Sequence, residues 1–146
     1  MPLRPMTLAD IEPALALWQH CAGLGLSAAD NPCALKKFLE RNPGLSFVAE
    51  EAGQVVGTIL GGQDGRRGFF YHLAVAPEKR RQGLGERLVT AALAAMREQG
   101  IQKCHILVFQ TNDEGRQFWQ KVGWKLRPEI DLLSFDVEPS QGQCPC

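Results

Sequence analysis

Hydrophobic positions along this chain recur with two different periods, and the switches between them mark out its elements. Residues 3–6 read as a short opening strand. Thr7 with Asp10 three positions on has the form of a capping box. Ile11, Leu15 and Trp18 then share one face of a helix that Gly23 and Gly25 are expected to end. Asn31-Pro32 starts a second helix, since asparagine caps well and proline is tolerated at the first helical position. Leu35, Phe38 and Leu39 line that helix, and Asn42-Pro43-Gly44 stops it.

The middle of the chain runs in strands. Residues 46–51 and 54–60 are strands joined by a hairpin at Ala52-Gly53. Asp64 to Gly68 forms a second turn, with Arg66 and Arg67 as solvated loop residues, and residues 69–75 form the next strand. An amphipathic helix opens at Gly83 and Gly85 and runs to about Gly100. Residues 104–109 read as a central strand. Thr111 with Glu114 suggests another capping box, and Gly115, Phe118, Trp119 and Val122 follow a helical face that Gly123 ends. Residues 124–130 and 134–137 are the expected last strands. This order predicts an α/β (α+β) domain over residues 1–138, with a mixed, mostly antiparallel central sheet flanked by helices. Residues 139–146 form a polar tail expected to be loose.

Composition narrows the class of protein without naming a function. The chain has 146 residues, 45% hydrophobic and 22% charged, which is ordinary for one globular domain. Sixteen basic residues balance sixteen acidic ones, so no nucleic-acid or membrane partner is expected. Neither an apolar leader nor a membrane-length apolar run is present, and a cytoplasmic location is expected. The five cysteines have unrelated spacings. Cys21, Cys33 and Cys104 are expected as free thiols, and Cys144 with Cys146 cannot by themselves close a zinc site. No metal is expected.

The chemistry concentrates in residues 75–85, Val-Ala-Pro-Glu-Lys-Arg-Arg-Gln-Gly-Leu-Gly. A strand stops at Pro77, a charged turn follows, and a helix opens. Glycines let the backbone approach a ligand, and the first turn of a helix offers N–H groups with no partner of their own. The helix dipole adds roughly half a positive charge there. Arg80 and Arg81 bring permanent cations, so a diphosphate fits. A phosphate-binding Walker loop is excluded, because Gly-x-x-x-x-Gly-Lys-Ser/Thr is absent. A dinucleotide fingerprint is excluded because Leu88 occupies the place of its third glycine.

What remains, Arg80-x-x-Gly83-x-Gly85 after Leu73-Ala74-Val75-x-Pro77, resembles the coenzyme A motif of the GNAT superfamily, the Gcn5-related N-acetyltransferases. The likeness runs from the first strand to about Val137. Its second landmark is Asn112 followed by Phe118-Trp119-Gln120-Lys121-Val122-Gly123-Trp124. Val55-Val56-Gly57-Thr58 with Gly61-Gly62-x-Asp64-Gly65 looks like the small bacterial YpeA-like branch, often grouped with RimI-type enzymes.

The resemblance implies acetyl-CoA as cosubstrate and a primary amine, on a small molecule or a peptide or protein N-terminus, as acceptor. A homodimer is compatible with it. Backbone groups of Leu73, Ala74 and Val75 would hold the pantetheine arm and thioester. Backbone N–H groups across Arg81, Gln82, Gly83, Leu84, Gly85 and Glu86 would take the pyrophosphate beside Arg80. Asn112 would bond the pantetheine, or simply cap its helix.

Trp119 departs from the family, where many relatives carry a tyrosine that protonates the departing thiolate. Indole N–H is no usable acid near neutral pH, so Trp119 reads as an apolar anchor near the coenzyme sulfur. Tyr71 and His72 are the candidates for proton handling. Strand alternation puts Tyr71 with Phe69 and Leu73 on one face and His72 on the other, unless a bulge reverses it. The alternative to an enzyme is an acyl-CoA-binding module or sensor that keeps the pyrophosphate site and has lost catalysis.

Overall fold

The alternating segments assemble into one five-stranded sheet in the computed structural model, which describes residues 2–138. The expected tail, with Cys144 and Cys146, lies outside the described residues. The strands are β1 (Leu3–Pro5), β2 (Phe47–Glu51), β3 (Gln54–Gln63), β4 (Gly68–Val75) and β5 (Cys104–Ile106), side by side in chain order. The first four pair antiparallel, and β5 runs parallel to β4. The β2–β3 hairpin turns where it was expected, with Ala52 and Gly53 both at positive φ.

Four helices cover the sheet: α1 (Ile11–Trp18), α2 (Pro32–Arg41), α3 (Leu84–Glu98) and α4 (Asp113–Lys121). Two neighbouring residues of β3 show which helix lies on which face. Thr58 takes a hydrogen bond from the Trp18 indole of α1 at 2.8 Å. A Cβ added to Gly57 would touch Leu88 and Leu84 of α3. Successive strand residues point to opposite faces, so α1 and α3 lie on opposite sides. Phe38 of α2 meets Tyr71 on the α1 side, and α4 joins α3 through Phe118 against Gly85. The α/β class and the mostly antiparallel sheet are as expected.

Buried polar groups in the core stand in for ladder bonds. Ser46 Oγ accepts the Gly61 N–H at 3.0 Å, and Asn42 Oδ1 accepts that of Gln63 at 3.1 Å. Asp10 clamps the first strand to the first helix. Its carboxylate takes two bonds from Arg4 (2.8 and 2.9 Å) and one from the Thr7 N–H (2.8 Å), the capping box expected there.

Several expectations need correction. α1 ends at Trp18, well before Gly23, because Gln19, His20 and Cys21 tighten into a final turn and carry the chain off as a loop. β5 stops at Ile106, where β4 no longer runs beside it. The cap of α4 is Asn112, whose Oδ1 accepts the Gly115 N–H at 3.0 Å, and the Thr111–Glu114 box does not form.

The last two expected strands are absent from the described residues. A strand needs an edge to pair with, and β5 is too short to present one to them. Leu132, Leu133, Phe135 and Val137 are instead 70%, 86%, 90% and 92% exposed. Cys21 and Cys104 are free thiols as expected, whereas Cys33 is disulfide-bonded.

Hydrogen bonding to Arg4 holds the Asp10 carboxyl below its usual range, against the opposing effect of burial. A depressed folded-state pKa stabilises the fold above the unfolded value of about 3.9 and is lost as pH falls through the folded value. Asp10→Asn is expected to cost about 1–2 kcal/mol at neutral pH, Arg4 being partly solvated. The difference from wild type should shrink in urea titrations taken progressively below about pH 4.

Candidate active site

β4 and β5 keep company for only three residues. Gly68 faces Cys104, Phe69 faces His105 and Phe70 faces Ile106. β4 then continues to Val75, bonded to β3 on its other edge. From Tyr71 onward its β5-side edge has no strand beside it among the described residues. Backbone N–H and C=O groups on such an edge are a seat for another extended chain. Leu73, Ala74 and Val75 lie on it. The Val75 carbonyl is met by Arg80 Nε at 3.2 Å and by Cys21 Sγ at 3.8 Å.

The turn leaving this strand has the form of an anion cradle. After a 3-10 turn at Pro77–Lys79, Arg80 is extended, Arg81 is left-handed (φ 64°) and Gly83 is left-handed again (φ 77°). Left-handed residues in a turn gather successive N–H groups into a concavity. The first N–H to bond back into α3 is that of Arg87, to the Gly83 carbonyl at 3.1 Å. Leu84, Gly85 and Glu86 belong to the helical turn whose N–H groups have no acceptor within the helix. Lys79 is engaged with Glu51 at 2.7 Å, so Arg80 and Arg81 supply the cations of the turn. Glu86 suits the helix N-terminus but would repel an anion with its side chain, which leaves its backbone N–H as its contribution.

The two glycines serve different ends, which their common motif conceals. A Cβ on Gly83 would meet nothing within 4 Å, so Gly83 is required for its backbone conformation. A Cβ on Gly85 would lie 3.3 Å from the Phe118 ring, so Gly85 is bare to let α4 pack against α3.

A bulge settles the faces of Tyr71 and His72. Leu60 pairs with Tyr71 and Thr58 with Ala74, so Ile59 alone faces both His72 and Leu73. His72 takes up the extra residue at φ 47°. Simple alternation is thereby overturned. Tyr71 packs edge-on against Phe38 of α2 (6.0 Å), and His72 packs against Trp18 of α1 (4.6 Å). Both point into the α1/α2 layer. His72 Nε2 lies 2.7 Å from Asp30 Oδ1. Burial pushes the Tyr71 phenol above its ordinary pKa, so it stays protonated at neutral pH.

The loop that follows α1 reaches across the mouth of the parted strands. Gly23 comes up to the Asn112 amide, Gly25 to the Phe109 ring, and Leu24 packs on the core. Asn112 is thus a helix cap whose Nδ2 faces this loop. Trp119 is buried among Phe118 (5.4 Å) and Trp124 (4.8 Å), and Trp124 continues to Phe70 (5.8 Å). It anchors α4 to the sheet, in keeping with the packing expectation. Nothing in the sequence shows that Asp30, Thr58 and Trp18 gather around His72. Ser27-x-x-Asp30 could have been read as a capping box, but its partnership with His72 spans 42 positions. Among the described residues no three His, Cys, Asp or Glu gather as metal ligands would, and no helix is long and apolar enough to cross a membrane.

Comparison with known proteins gives this arrangement a context. Residues 12–124 match the model of the acetyltransferase (GNAT) family. The chain is 32% identical over 133 residues to a protein named acetyltransferase from Sodalis glossinidius, spanning 91% of this chain and 93% of that one. Among solved structures it resembles Ard1 from Thermoplasma volcanium, with TM-score 0.76, 26% identity and coverage of 86% and 83%. The PaiA N-acetyltransferase from Thermoplasma acidophilum, in complex with coenzyme A, superposes with TM-score 0.75 at 20% identity, covering 86% of this chain and 90% of that one. That last likeness concerns the fold alone.

The two glycines should respond differently to added side chains. Gly85→Val is expected to cost on the order of 2 kcal/mol by forcing Phe118 aside, and Gly83→Ala about 1 kcal/mol through its left-handed backbone. Chemical denaturation of both variants checks this. Equal costs, or the reverse order, would refute the separate roles.

Proposed function

The chain belongs to the acetyltransferase (GNAT) family, and from that membership we propose that it carries an acetyl group from acetyl-CoA to a primary amine in the cleft where β4 parts from β5. The observation that carries this reading is one of continuity. The free edge of β4 and the anion turn opening α3 are consecutive pieces of chain, so one extended ligand with a diphosphate can engage both.

In this reading the pantetheine arm lies along Leu73, Ala74 and Val75 as an added strand, and its amide competes with Arg80 for the Val75 carbonyl. Arg80 then swings to the pyrophosphate, which sits on N–H groups from Arg81 to Glu86. The Asn112 Nδ2 is available to the pantetheine once the loop at Gly23 withdraws. Backbone N–H groups on the β4 edge polarise the thioester carbonyl, and holding two substrates together supplies much of the acceleration. His72 accepts the proton of the attacking amine. Tyr71 hands a proton to the departing thiolate, the task that Trp119 is unable to perform. The domain carrying this activity comprises residues 1–138.

The acceptor is a small-molecule amine or a peptide N-terminus, and a panel of both is the first experiment. Release of CoA from acetyl-CoA should appear with at least one of an aminoglycoside, a polyamine, a tetrapeptide with a free N-terminus and n-butylamine. Tight acetyl-CoA binding with no turnover on any of them would identify an acyl-CoA sensor instead.

Gly83→Asp should weaken acetyl-CoA binding more than about tenfold by calorimetry, because a carboxylate enters the anion turn. Tyr71→Phe should lower kcat by about 10²-fold while acetyl-CoA affinity stays close to native. A native kcat in Tyr71→Phe would remove the phenol from the reaction.

A further inference from the structure

His72 is fixed by groups from three other elements. Its Nε2 lies 2.7 Å from Asp30 Oδ1, with the two side chains 12% and 11% exposed. Its ring packs on Trp18 with centroids 4.6 Å apart. Its carbonyl accepts the Thr58 hydroxyl at 2.9 Å, and that hydroxyl accepts the Trp18 indole N–H at 2.8 Å. Asp30 is fixed in turn, because its Oδ2 accepts the Ser27 N–H at 2.8 Å in the capping box of a short 3-10 turn.

Burial alone would raise the Asp30 carboxyl, but the bonds from His72 and the Ser27 N–H outweigh it and hold the carboxyl below its usual range. The group is therefore an ionised acceptor at neutral pH. Only a ring nitrogen carrying hydrogen can face it, so Nε2 holds a proton and Nδ1 is left as the nitrogen that can exchange one with a substrate.

We propose that Asp30 is a positioning residue for His72, fixing the tautomer whose Nδ1 takes the amine's proton and steadying the imidazolium that results. This rests on the reading of His72 as the base. In the step itself, the amine nitrogen bonds to the acetyl carbonyl carbon as one of its protons passes to Nδ1. The C–S bond then breaks, and the CoA thiolate takes the Tyr71 proton. The imidazolium proton returns to the Tyr71 phenolate through solvent, so CoA leaves as the thiol and both side chains are restored.

Among the described residues Asp30 is the charged group at ion-pair distance from the ring. The Trp18 indole of α1 packs on the ring, and the Thr58 hydroxyl of β3 holds the His72 carbonyl. The turn bearing Asp30 closes the same loop that covers the cleft at Gly23 and Gly25.

The test uses the full chain, saturating acetyl-CoA and whichever panel amine turns over fastest. His72→Gln is expected to lower kcat by about 10²-fold and Asp30→Asn by at least about tenfold, with the KM for acetyl-CoA near native. Added formate should restore part of the loss in Asp30→Ala and none in His72→Gln, a response that a merely structural carboxylate would not give. If Asp30→Asn fails to fold, Asp30→Glu decides, with a reduced kcat at native KM expected.

A native kcat in a folded Asp30→Asn or Asp30→Glu overturns this proposal and leaves His72 as the base. A native kcat in His72→Gln overturns both. No turnover with any amine overturns them together with the transferase reading.

Discussion

Opposite Ile59 the fourth strand fits in one residue too many, and most of what is particular about this molecule is arranged around that surplus. An inserted residue raises local twist and lets a strand turn away from its neighbour. The ladder with β5 has already ended at Phe70, one residue before Tyr71. The bulge also brings two consecutive side chains, Tyr71 and His72, to the same layer, which a regular strand forbids. It holds His72 in a left-handed conformation that an imidazole adopts only under constraint, and the Thr58 hydroxyl on its carbonyl is part of that constraint.

The two layers of helices divide the work on either side of this strand. On the α1/α2 side lie Tyr71 and His72, with Asp30, Trp18 and Thr58 around His72. On the α3/α4 side the rings of Phe118, Trp119, Trp124 and Phe70 form a continuous packed run that sets the height of α4 above the sheet. Gly85 is bare for that packing, while Gly83 shapes the turn before α3. A two-glycine signature therefore combines a conformational demand with a packing demand only two residues apart.

What could be read from the sequence was what lies close together along it. The Asn31 cap, the hairpin at Ala52-Gly53 and the turn from Arg80 to Gly85 are each set within a few residues, and each forms as expected. The pairing of His72 with Asp30 depends on two distant segments meeting across the sheet, and no local pattern announces it. Residues 124–137 have a good apolar pattern but no edge to pair with, so they do not become strands among the described residues. The end of α1 was misplaced for a related reason. The chain leaves the helix to cross the mouth of the cleft, and tertiary packing draws it there before the glycines are reached.

The central claim is that coenzyme A lies along the free edge of β4 and ends on the turn before α3. Amide hydrogen exchange with and without CoA addresses it directly, because an added strand and a bound diphosphate both protect backbone N–H groups. The account predicts slowed exchange in residues 71–75 and 81–86 together. Protection absent from both stretches while CoA is bound would contradict it.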